Sequence, residues 1–105
     1  MTVPGIEKAL IRLGISEEVY AELFVDFQVM VREKAGLLKE AIAAADLAQA
    51  TKLAHTIKGS AANLGIDEIA ELARVIECSS AKGVMTDDIT SAMHCLAARI
   101  ATFTS

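Results

Sequence analysis

The only proline in the chain is Pro4, so about a hundred consecutive residues carry nothing that breaks a helix from within. Over that stretch apolar residues recur three and four positions apart. They do not alternate in the runs of two that mark a half-buried strand. Leu47, Ala50, Ala54, Ile57, Ala61 and Leu64 form one such stripe, and Ile89, Met93, Leu96, Ile100 and Phe103 form another. A chain patterned in this way is restricted to packed helices.

Capping residues divide the run. A short first helix is expected from about Gly5 to Leu13, ended by Gly14, with Ile6, Leu10 and Leu13 on one side. Ser16 is an N-cap, and Glu17 and Glu18 suit the positive end of a helix dipole. A long second helix follows through Phe24, Phe27 and Val31 to about Ala44. Gly36 lies inside it at a cost of about 1 kcal/mol relative to alanine. Asp46 opens a third helix that ends at Gly65, a C′ residue suited to the left-handed conformation. A fourth runs from Asp67 to about Lys82, with Gly83 as its stop, and Thr86 caps a fifth. Connections this short make consecutive helices antiparallel neighbours. The expected fold is all-α: an antiparallel up-down-up-down four-helix bundle with a short additional N-terminal helix across one end.

Composition removes several classes of function. The 105 residues are 53% hydrophobic, enough for one core and too few for two domains. A net charge of -4 without a basic block argues against nucleic acid and against an anionic membrane surface. No apolar run approaches the roughly 20 residues of a membrane span, and no signal-peptide pattern opens the chain. Cys78 and Cys95 are therefore expected as reduced thiols in the cytoplasm. Neither they nor His94 show the spacing of a zinc site, so no metal centre and no cofactor of the chain's own are expected.

One helix face stands out. At about 100° per residue, His55 lies roughly 130° from the centre of the third helix's apolar stripe. Thr51, Gly59 and Ala62 flank it where a solvent face usually carries longer polar side chains. Gly59 costs about 1 kcal/mol of helix stability and points away from the core that close packing would require. Lys58 is three residues on from His55, where side chains on one helix meet. It can reach a phosphoryl group held on the outward imidazole nitrogen. Across the Gly65 turn, His55 lies ten residues before it and Glu77 twelve after it. At about 1.5 Å per residue the two stand at similar heights. Glu77 is thereby placed to accept a hydrogen bond from the inner ring N–H. Ser60 faces away from His55, so no serine–histidine pair forms.

His55-Thr56-Ile57-Lys58-Gly59-Ser60, followed by Asn63-Leu64-Gly65, resembles the signature of histidine-containing phosphotransfer (HPt) domains. The likeness extends along nearly the whole chain, 1-105, as a single HPt-like domain. It implies a phosphocarrier with no independent catalytic activity in a multistep two-component phosphorelay. His55 would be the phosphoacceptor, Lys58 would steady the phosphoryl oxygens, and Glu77 would orient the imidazole. Gly59, Thr51 and Ala62, with Ile6 and Leu10 of the first helix, would meet the partner. The partners implied are receiver domains of response regulators or hybrid histidine kinases, which bring the Mg²⁺. The chain itself would be a monomer. Two other readings fit the same residues. One is a phosphoacceptor domain cut from a chemotaxis-type or hybrid histidine kinase; the other is a non-catalytic helical adaptor with an idle His55.

Overall fold

Five helices make up the described residues, 6–104, of a computed structural model, and no strand occurs among them. They are α1 (Ile6–Leu13), α2 (Glu17–Ala43), α3 (Leu47–Asn63), α4 (Asp67–Ala81) and α5 (Asp87–Thr104). The expected boundaries agree to within one or two residues. Gly5, placed at the start of the first helix, and the side chain of Phe103 lie outside the described residues.

Local chemistry sets these ends. The Ser16 hydroxyl accepts from the Val19 amide at 3.3 Å, and the Asp46 carboxylate accepts from the Gln49 amide at 3.2 Å. Each satisfies one of the amides a first turn leaves unpaired. At the end of α3 the Ile66 amide donates to the Ala61 carbonyl at 2.8 Å, and the Gly65 amide donates to that of Ala62 at 3.1 Å. This closure needs Gly65 in the left-handed region, at φ 76°. The turn between α2 and α3 does the same with Ala45 at φ 56°. No glycine marks it in the sequence, and a Cβ there carries a steric cost.

Helix α3 packs on α2 and α4, and α5 closes the ring against α4 and α2. The core runs down the middle. Tyr20, Phe24, Phe27, Val31 and Leu38 enter from α2, and Ile69, Ala73 and Ile76 enter from α4. Ala92, Met93, Leu96 and Ile100 complete it from α5. Of the expected stripe on α3, Ala50, Ala54, Ile57, Ala61 and Leu64 are buried and Leu47 is half-buried; Leu53 is also buried, which widens it. Helix α1 lies at the end of the bundle where α3 terminates. Its Ala9 is buried, and the Arg12 guanidinium donates to the carbonyls of Ala62, at 2.9 Å, and Asn63. Beside it the buried Tyr20 hydroxyl donates to the Leu64 carbonyl at 2.5 Å. Two side chains from two helices thus reach the last carbonyls at the end of α3, with Ala62 accepting from Arg12 as well as from the Gly65 amide. No helix among the described residues is long and apolar enough to cross a membrane.

Candidate functional site

Three side chains from two helices meet on the outer side of the α3–α4 pair. His55 and Lys58 come from α3, and Glu77 comes from α4. Glu77 divides its carboxylate between the other two. One oxygen, Oε2, lies 2.5 Å from His55 Nδ1, and the other, Oε1, lies 2.6 Å from Lys58 Nζ. The height argument from the turn therefore ends in a direct contact. That Glu77 also engages Lys58 was not expected. Helix spacing placed Lys58 within reach of a phosphoryl group on His55 and carried no signal for this second contact. The lysine lies on the near side of the apolar stripe, which is the side α4 covers.

Electrostatics fix the ring. Lys58 foremost, and His55 less, hold the Glu77 carboxyl below its ordinary range, against an opposing effect of burial. An ionised carboxylate only accepts hydrogen bonds, so Nδ1 is the ring nitrogen that carries hydrogen. In the neutral ring Nε2 then keeps its lone pair. The His55 side chain is 66% exposed, against 18% for Glu77. The arrangement is an accessible imidazole nitrogen, Nε2, backed by a half-buried carboxylate, with a cation alongside.

The surroundings are flat. Ala54 and Ile57, which immediately precede His55 and Lys58 in sequence, are buried and fix the azimuth of the helix. Gly59 is exposed, and a Cβ built on it would meet nothing within 4 Å. No neighbour in this chain requires a glycine there. Ala62 is exposed as well. Thr51 is half-buried and its hydroxyl donates to the Leu47 carbonyl one turn back at 2.7 Å.

The residues assigned to α1 are placed differently from the expectation. Ile6 and Leu10 are half-buried and pack on the core. The open apolar residue of α1 is Ile11, at 82% exposure. The reason is the spacing already noted: Ile6, Leu10 and Leu13 share the side that α1 turns inward. Arg12 joins α1 to the end of the histidine helix, and sequence spacing carries no signal for it. His94 is exposed on α5, and Cys78 and Cys95 are exposed free thiols. Among the described residues no three His, Cys, Asp or Glu side chains converge as a metal site.

A family model described as Hpt domain matches residues 22–100, about three quarters of the chain. No curated protein and no solved structure matches it.

Proposed function

The chain belongs to the Hpt domain family, and we propose that it carries a phosphoryl group on His55 Nε2 between receiver-domain aspartates of a multistep phosphorelay. Hpt domains are histidine phosphotransfer modules of phosphorelays, and they are carriers rather than catalysts. The observation that supports the assignment to this residue is the division of the Glu77 carboxylate. By holding Nδ1–H at 2.5 Å it leaves Nε2 as the exposed nucleophile.

The step is a substitution at phosphorus. The Nε2 lone pair attacks the phosphorus of the aspartyl phosphate on the receiver. A P–N bond forms, the P–O bond to the aspartate breaks, and the carboxylate leaves with the electron pair. No proton need move, because Nδ1 keeps its hydrogen throughout. The ring gains positive charge, and Glu77, already in contact, offsets it. Lys58 turns from Glu77 to a phosphoryl oxygen, a short movement about its flexible stem. The reverse sequence delivers the group to a second aspartate. Gly59 and Ala62 leave room for the receiver, with Ile11 as the apolar contact from α1. Any Mg²⁺ belongs to the receiver's side of the complex.

The test is transfer itself. Incubation with a phosphorylated receiver should add the mass of one phosphoryl group, and acid should remove it, as expected for a phosphoramidate. His55→Gln should abolish the increase, and His94→Gln should spare it. His94 has only Thr90, Ser91, Ala97 and Ala98 one turn away, and none of these is a cation. Label that persists on the His55→Gln protein would overturn the assignment.

A further inference from the structure

The outer face of α2 carries a pattern that neither the core nor the His55 site uses. Glu18, Glu22, Val25, Val29, Arg32, Gly36 and Lys39 are spaced alternately four and three residues apart. This is the a/d spacing of a coiled-coil seam. All seven are exposed, Val25 at 56% and Val29 at 65%. A Cβ on Gly36 would meet nothing within 4 Å. The glycine is thus a loss of about 1 kcal/mol that no contact within the chain explains.

The seam complements itself when reversed. Let two copies of α2 run antiparallel about a twofold axis at Val29. Val29 then meets its own copy, and Val25 meets the long stem of Arg32. Glu22 stands over Gly36, a large residue over an open position, and Glu18 stands opposite Lys39. Each layer occurs twice, as an isologous interface requires. Charge selects this direction. The first half of α2, residues 17–29, holds Glu17, Glu18, Glu22 and Asp26 and no base. The second half, residues 30–43, holds Arg32, Lys34 and Lys39 against Glu33 and Glu40. Antiparallel pairing sets a net charge of -4 against one of +1, whereas parallel pairing sets -4 against -4. Glu40 also faces Glu18 and weakens the end layers. The ends therefore supply direction, and the burial of Val25 and Val29 supplies affinity.

We propose that the outer face of α2 is a homodimer interface, antiparallel and centred on Val29. It differs from the monomer expected from the sequence, and the two make opposite forecasts for the mass in solution. It goes beyond the phosphotransfer reading and does not depend on it, since His55 lies on α3.

The test is light scattering and sedimentation equilibrium on the intact chain from about 1 µM to 1 mM. The weight-average mass should rise from one chain toward two across this range. Val29→Lys sets two like charges on the axis and should hold the protein monomeric with its helicity intact. Glu18→Lys and Lys39→Glu should each weaken the dimer, and the two together should restore it. A monomer at every concentration would overturn the proposal. So would a dimer that Val29→Lys leaves unchanged, or a double exchange that fails to rescue. Slowed phosphotransfer in Val29→Lys without a change in mass would also overturn it, by giving the face to the receiver instead.

Discussion

Gly59 separates folding from docking more cleanly than any other position. It sits inside α3, its φ is an ordinary helical one, and a Cβ added to it meets nothing within 4 Å. Replacement by alanine therefore has no packing cost and recovers the helix propensity that glycine forfeits, about 1 kcal/mol. In a domain of this size that raises Tm by about 4–8 °C. Gly36 is a matched control, since it too is helical and faces open space. Gly36→Ala and Gly59→Ala should gain similar stability when melted at micromolar concentration. The two sites should diverge in function. Gly59→Gln projects a long side chain from beside His55 into the space a receiver must occupy. Transfer from a phosphorylated receiver should slow at least about tenfold, a loss of about 1.4 kcal/mol at the transition state. Gly36→Ala should transfer at the native rate. The assay is circular dichroism for Tm and a quenched time course of phosphotransfer for rate. A lowered Tm in Gly59→Gln would mean that the glycine serves packing. A native transfer rate in the same variant would mean that no partner approaches this face.

Other expectations follow from named contacts. Tyr20→Phe removes the donor to the Leu64 carbonyl, a buried bond of 2.5 Å, and should cost about 1–3 kcal/mol in urea denaturation while leaving the phosphorylated residue unchanged. Lys58→Ala should slow transfer or shorten the life of the phosphorylated state without blocking it, as seen by the decay of the added mass, because lysine assists and does not attack. Lys58 and His55 depress Glu77 below its ordinary 4.5, so its contribution to stability is present above that pH and is lost as pH falls through the lower folded value. Glu77→Gln cannot titrate, so its stability should depend less on pH below about 4.5; acid denaturation curves that superimpose on those of the native chain would refute the pairing.

Much of the fold was legible because its signals are local. Ser16, Asp46 and Gly65 act on amides and carbonyls within five residues of themselves, so their roles could be read from position alone. The meeting of His55 with Glu77 was also legible, since a tight turn converts residue counts into heights. Ala45 shows where local reading stops: the left-handed turn between α2 and α3 falls on an alanine, a residue type that does not signal it. The same limit applies around the histidine.

Sequence alone determined that His55 faces outward, that Lys58 stands one turn from it, and that Glu77 lies level with it. Each follows from helix geometry along a single chain segment. Only the tertiary structure decided how the helices are rotated toward one another. That rotation places one Glu77 carboxylate between His55 and Lys58, turns Ile6 and Leu10 inward and Ile11 outward, and brings Arg12 to the carbonyls of Ala62 and Asn63. It is set by the sum of many apolar contacts across the core, each weak and none encoded at one position, so no spacing rule within a helix can supply it.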